Sequence, residues 1–284
     1  MSQPNPIKRA MLYLLLGGIA LVTLMPLLLT LINSFMSETE ILKRYGSIFG
    51  KHSAVVQLTT VPSQATLFAY YQVLLQRPDY LYKLWVSLAI SVSIVMGQVL
   101  IGASGGYAFA KFKFPLKNFF FAIIIILMLM PNQVTIVSNY IVLDRMGLIG
   151  RYWAVILPGA FSAFGVFLSR QMFMSVPDEL LLSARVDGAN QWQVLTKVVL
   201  PSVKAGVASL VILVFIDSWN MVEQPLIMLR DAYKYPLSVF LAQVNQTEPS
   251  VAFACGILSM LPVLLLYFYF DDELILGIEY SVIK

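Results

Sequence analysis

Six stretches of mostly apolar residues recur along the 284-residue chain, at 11–35, 84–110, 118–140, 153–174, 206–229 and 251–270. Each is close to the roughly 20 residues that a helix needs to cross the hydrocarbon core of a bilayer. In that medium a helix satisfies its own backbone N–H and C=O groups, so runs of this length predict an all-α, polytopic membrane protein with six transmembrane helices. Composition agrees. The chain is 59% hydrophobic and only 12% charged, against about 25% charged in an ordinary soluble domain. An even number of spans places both termini on one side.

The first run follows Lys8 and Arg9, as a secretory signal would. It is longer than the roughly 7–15 apolar residues of such a signal, and Asn33-Ser34-Phe35 offers no small-residue cleavage site. It therefore reads as a retained span. Pro26, Pro131, Pro158, Pro225 and Pro262 fall inside spans, where proline kinks the helix and neighbours re-satisfy the freed carbonyl. Gly97, Gly102, Gly105 and Gly106 cluster in the second span and read as small residues that let helices approach closely. Tyr80, Tyr82, Trp85, Tyr152 and Trp153 sit at span ends and fit an interfacial belt. Between the first two spans lies the longest connector, 36–83, with an extended-looking Val55–Thr60 segment. Lys8, Arg9 and the basic turn 111–117 favour a cytoplasmic N-terminus by the positive-inside rule.

Little here supports covalent chemistry. One cysteine, Cys255, lies in an apolar run, and His52 is the only histidine. That count argues against a metal site or a Cys/His nucleophile pair. No phosphate-binding G-x-x-x-x-G-K-[ST] loop is present, and nothing points to nucleic acid. What remains is a polar insert at 175–205 between the fourth and fifth spans. Pro177, Asp178 and Glu179 suit the start of a helix, and Gly188 suits its end. Asn190 with Gln193 forms a capping-box-like pair for a second helix, which Leu200-Pro201 closes. Leu180, Leu181, Val186, Ala189, Trp192 and Leu195 give these helices much apolar surface. Helix physics alone leaves two readings open. The surface folds back on the protein's own span ends, or it docks a partner.

The spacing within the insert carries a resemblance. Gly188 is followed by nine residues, Val198, one residue and Leu200-Pro201, and Ser183-Ala184-Arg185-Val186-Asp187-Gly188-Ala189 precedes it. This resembles the cytoplasmic coupling loop of ABC importer permeases, whose pattern runs Glu-Ala-Ala, two residues, Asp-Gly-Ala, then Ile-x-Leu-Pro. Tyr107-Ala108-Phe109-Ala110 with Phe114-Pro115, Met130-Pro131, Trp219-Asn220 with Pro225-Leu226, Leu261-Pro262, and Gly277 with Lys284 extend the likeness over 80–284. They point to the maltose-type carbohydrate permeases. Two departures stand out. The loop's first Glu is replaced by Leu182, and the tail carries Asp271-Asp272-Glu273.

The resemblance implies one permease domain over 1–284, with an extracytoplasmic loop at 36–83 and a cytoplasmic coupling loop at 175–205. It implies a bacterial inner-membrane subunit that moves a carbohydrate and is not itself an enzyme. Its partners would be a homologous second permease, two cytoplasmic ATPase subunits that bind ATP and Mg, and an extracytoplasmic solute-binding protein. Glu179, Leu182, Ser183, Ala184, Asp187, Gly188, Ala189, Trp192, Leu200 and Pro201 would form the ATPase-coupling surface.

Polar residues inside the fifth span suggest the path. An ionised carboxylate at the bilayer centre costs about 2.5–3.5 kcal/mol on insertion scales, so Asp217 and Glu223 call for a cavity, a partner or a function. Asp217, Asn220 and Gln224 recur at i, i+3, i+7, one stripe of a continuous helix. With Glu223, and with Asn132 and Gln133 after Pro131, they are candidates to line a translocation path. The alternative is that they bond across helices or reach the wet surface. Rival functions are an ion-coupled secondary transporter, a membrane-bound sensor or scaffold, and a permease for a polyol phosphate. Against the first stands the lack of recognisable inverted repeats with broken spans.

Overall fold

A computed structural model describes residues 6–45, 61–273 and 275. All regular structure among them is helical. The expected Val55–Thr60 segment, His52, and the Gly277 and Lys284 positions lie outside the described residues. Two compact units divide the chain, residues 1–81 with 241–260, and residues 82–240 with 261–284.

In the first unit, α1 (Pro6–Asn33) is apolar almost all round, and its side chains from Met11 to Leu28 are exposed. A helix apolar on every face needs lipid or another apolar partner around it. The connector to the next span is not a plain loop. It folds α2 (Glu38–Tyr45) and α3 (Phe68–Tyr71). Met36, Ile41 and Tyr45 are buried there beside Ile32 and Phe253. Glu40 accepts from the Ser63 N–H at 2.8 Å and pairs with Arg44, whose guanidinium also donates to the Val61 carbonyl. These bonds hold the start of the returning strand of chain at α2. Cys255, as its apolar setting suggested, is buried.

The second unit is organised on α4 (Pro78–Lys111), which begins six residues before the expected span. Its glycines mark close approaches to α7 (Trp153–Ala160) and α8 (Ala163–Met174). A Cβ on Gly97 would lie 2.4 Å from the Ala160 side chain, on Gly102 2.8 Å from Gly165 backbone, and on Gly106 2.5 Å from the Ser169 side chain. The glycine cluster is a packing seam. Lys83, also on α4, donates to the carbonyls of Ala232, Tyr233 and Tyr235 and so ties the 232–235 turn to this helix. The aromatic belt holds only in part. Trp85 and Trp153 are exposed, but Tyr80 is buried within protein, and Tyr82 stacks on Tyr233 at 4.4 Å.

Among the described residues, four helices are long and apolar enough to cross a membrane, or up to six if each sharply bent pair is one span. Across the expected span at 118–140 the helix is not continuous. It breaks into α5 (Lys117–Leu129) and α6 (Asn132–Arg145), turned by 105°. Pro131 has no N–H to give and disfavours helical geometry at Met130, which is extended with φ −72°, ψ 128°. Beyond α8 come α9 (Asp178–Val186), α10 (Gln191–Gln193), a wide turn over Val194–Val199, and α11 (Leu200–Ser202). These are followed by α12 (Lys204–Trp219), α13 (Glu223–Met228), α14 (Leu237–Thr247) and α15 (Pro249–Tyr269).

Candidate coupling surface and translocation cleft

The insert folds as two short helical arms, as its caps require. Gly188 takes φ +85°, a left-handed conformation that suits glycine. The Gly188 N–H donates to the Arg185 carbonyl and the Ala189 N–H to the Ala184 carbonyl, the 5→2 and 6→1 pair of a Schellman end. Asn190 and Gln193 close a reciprocal capping box, with bonds of 2.8 and 2.9 Å. The second arm does not stop at Leu200. Pro201 supplies no N–H, and the wide turn before it takes up the register. The helix therefore reaches Ser202 and breaks at Val203, where the arm meets α12 at 87°.

The insert's apolar surface divides into a packed set and an exposed set. Leu181, Val194, Leu195 and Val199 are buried with Ala103, Tyr107, Phe173 and Val176, and Ala184, Ala189 and Leu200 pack on the same cluster. Leu180, Leu182, Val186 and Trp192 are exposed, Val186 by 87% and Trp192 by 58%. Glu179, Ser183, Asp187, Gly188 and Pro201 are exposed as well, while Ala184, Ala189 and Leu200 are half-covered by the chain's own packing. One face is thus seated and the opposite face is bare.

The seat includes residues whose role was not readable from sequence. Tyr107 donates to the Gln191 side chain at 3.2 Å, a contact shared by Arg185. Lys111 donates to the Val176 carbonyl and to Asp178 at 2.7 Å, pinning the start of α9 to the end of α4. Lys111 beside Asp178, through that hydrogen bond and its charge, holds the carboxyl below the usual carboxylate range.

At the far end of α12 the helix fails, which corrects the continuous stripe expected for 217, 220 and 224. Asn220 caps α12, and its side chain donates to the Ile216 carbonyl at 2.9 Å. Four residues before Pro225 lies Met221, whose carbonyl a continuing helix would leave without its N–H donor. The Ser238 hydroxyl donates to that carbonyl instead. The break still gathers the residues. Asn132, Asp217, Asn220, Glu223 and Gln224 all line one cleft of about 500 Å³, with Gln133, Thr135 and Asn139. Glu223 accepts from Gln133 at 3.1 Å.

A second cleft of about 530 Å³ shares Asn132, Ile216 and Asp217 with the first and adds Gln98 and Ser162. Gln98 donates to the Gly159 carbonyl at 2.9 Å, while its amide oxygen is buried without a partner. It was overlooked among the apolar residues of the second span, although a mid-span glutamine is itself a signal. Both breaks, at Met130-Pro131 and at 220–222, thus open onto polar space, the setting in which irregular backbone is tolerated at membrane depth.

An all-helical membrane protein with these features, a seated polar insert and a cleft opened by broken helices, belongs to the class of transport subunits. Residues 98–274 match the family described as binding-protein-dependent transport system inner membrane component, and the chain belongs to that family. It is an inner-membrane transport permease, not an enzyme. Among relatives, the arabinooligosaccharides transport system permease protein AraQ of Halalkalibacterium halodurans is 27% identical over 283 residues, 99% of this chain and 98% of that protein. The sn-glycerol-3-phosphate transport system permease protein UgpE of Pectobacterium atrosepticum is 33% identical over 184 residues, 63% of this chain and 66% of the relative. In fold the chain is similar to a chain of a bacterial ABC transporter involved in the import of the acidic polysaccharide alginate. The TM-score is 0.78 at 24% identity, covering 96% of this chain and 98% of that one. A second structure, the alginate transporter in complex with an alginate pentasaccharide-bound periplasmic protein, gives 0.62 at 14% identity, covering 93% of each chain. Broken helices are present, so broken spans by themselves do not argue against an ion-coupled transporter. Family membership does.

Proposed function

We propose that this chain is a permease subunit of an ATP-driven, binding-protein-dependent importer of carbohydrate. In this reading the insert is the cytoplasmic surface that couples ATPase to permease, and the paired clefts are part of the solute path. Relatives that carry arabinooligosaccharides or glycerol 3-phosphate, and the alginate importer of similar fold, support the solute class and the partner set. Those partners are a homologous permease, two ATPase subunits and a solute-binding protein. The bare apolar faces of α1 would meet lipid and the second permease.

One observation carries the coupling role. The insert is seated on α4 and α8 by one face, bares Leu182, Val186 and Trp192 on another, and runs directly into α12. Sixteen residues of α12 span about 24 Å, and the helix ends at the cleft. ATP-driven closure of the ATPases would move the insert as a lever. The populations of inward- and outward-facing states then shift because the ATPases bind the two states differently. Polar groups at the breaks would replace the water that a hydroxyl-rich solute sheds. The chain itself makes and breaks no covalent bond.

The test is ATP-dependent uptake in proteoliposomes that hold the four kinds of component. Loaded binding protein is expected to stimulate ATP hydrolysis and uptake together. Uptake driven by an ion gradient without the ATPases would overturn the proposal.

A further inference from the structure

The acidic side chains of the clefts have a bearing on what can pass. Asp217 lines both clefts and Glu223 lines the first, and among the described residues no Lys or Arg lines either. Gln133 is the neutral donor to Glu223, and Arg230 is engaged with Tyr140 and Asp144. A second observation points to a ligand. Gln98, only 6% exposed, lines the second cleft and holds its amide oxygen buried without a hydrogen bond.

A buried acceptor of that kind calls for a donor. Carboxylate oxygens accept only, whereas a sugar hydroxyl both donates and accepts. The Asp217 and Glu223 carboxylates therefore suit a solute that brings O–H groups, and the Gln98 oxygen, packed against Gly165, becomes a third acceptor only when the wall of the second cleft shifts. A uronate or phosphate ester would bring further acceptors and a like charge. In a cleft with low-dielectric walls such a charge is excluded more strongly than in water.

From this we infer that the path through this subunit is an electrostatic and hydrogen-bonding filter for an uncharged polyhydroxylated solute, such as a neutral oligosaccharide, and rejects anionic sugars and polyol phosphates. The inference rests on the reading of these clefts as the solute path. It separates this chain from the relatives whose names specify glycerol 3-phosphate and from the importer of acidic alginate. Specificity of this sort is a difference between two affinities, and like-charge repulsion supplies the unfavourable side.

The charge at the cleft can be read without knowing the solute. Cys255 is the only cysteine, so Asn220→Cys in a Cys255→Ala background places one reporter thiol at the break. The assembled transporter in proteoliposomes is treated with a cationic (ethyltrimethylammonium) or an anionic (ethylsulfonate) methanethiosulfonate. Rates are normalised to those with a free thiol. The cation is expected to react about tenfold faster than the anion, and the ratio should fall towards one when Asp217→Asn and Glu223→Gln are added.

A ratio near one, or one favouring the anion, overturns the filter while leaving the path reading intact. Failure of both reagents to react in every nucleotide state overturns the path reading, and the filter with it. Asn132→Cys, at the wall shared by the two clefts, gives the same readout if the first variant does not assemble. Uptake of a uronate oligosaccharide or of glycerol 3-phosphate that depends on this subunit also overturns the inference.

Discussion

The insert and the cleft lie at the two ends of α12, and they are built in opposite ways. In the insert the helix ends are closed, by the Schellman turn at Gly188 and the Asn190–Gln193 box, and one face is packed into a cluster of buried side chains. In the cleft two helices simply stop, and polar groups face open space. A closed, seated element transmits displacement, because packed structure resists deformation. An open polar break can rearrange and can exchange hydrogen bonds with a solute. Under the proposed function, the contrast puts force at one end and recognition at the other.

The largest expected effect comes from unseating the packed side. Gly102→Val would place a branched side chain where even a Cβ is 2.8 Å from Gly165 backbone. Loss of folded subunit from detergent-extracted membranes is expected, measured as the monodisperse fraction. Normal yield would show that the α4–α8 seam is slack.

At the cleft, Asp217→Ala and Asn220→Ala should each lower uptake by about tenfold or more while the complex assembles, since each removes a group expected to bond the passing solute. Uptake at the wild-type rate with the same solutes would remove these residues from the path. Gly188→Val tests the insert more gently. Nothing lies within 4 Å of its Cβ position, so the cost is the left-handed backbone, about 1–2 kcal/mol. Solute moved per ATP hydrolysed should drop, with the subunit still in the membrane. An unchanged ratio would mean that the Gly188 turn need not be rigid.

Leu182→Glu restores the residue that the resembling loops carry. An exposed pair contributes about 0–1 kcal/mol, so uptake should stay level or rise by up to about fivefold. A loss would show that the bare face of this insert meets its partner through apolar contact.

The smallest effect is on the pin between Lys111 and Asp178. The Asp178 carboxyl titrates below its unfolded value. Its contribution is therefore present above the unfolded carboxylate pKa, about 3.9, and is lost as pH falls through the lower folded value. Hydrogen exchange in the first turn of α9 should quicken only in that acid range, and Asp178→Asn should abolish the step. A step at neutral pH would place the control elsewhere.

How far each region could be read in advance follows from the same contrast. Caps are local, so Gly188, Asn190 and Gln193 announced the two arms within a few residues of sequence. The apolar runs marked the membrane helices, and Gly97, Gly102 and Gly106 marked their seam. The polar residue types of the cleft were visible too, but their geometry was not. The i, i+3, i+7 stripe presumed an unbroken helix, although Pro225 already withheld the N–H that Met221 needed. The 105° turn after Met130-Pro131 likewise exceeds a kink that proline alone announces. Tyr107, Lys111 and Gln98 act through partners 61–84 positions away. No periodicity in the sequence could bring them together.

The coupling claim is tested most directly at Val186, the most exposed apolar residue of the insert. A benzophenone amino acid placed there, in cells that express the complete transporter, is irradiated and its adducts are identified by mass spectrometry. Adducts to the ATPase subunit, with a yield that changes between nucleotide-free and ATP-bound states, are the expected result. Adducts confined to lipid or to this chain in both states would contradict the account.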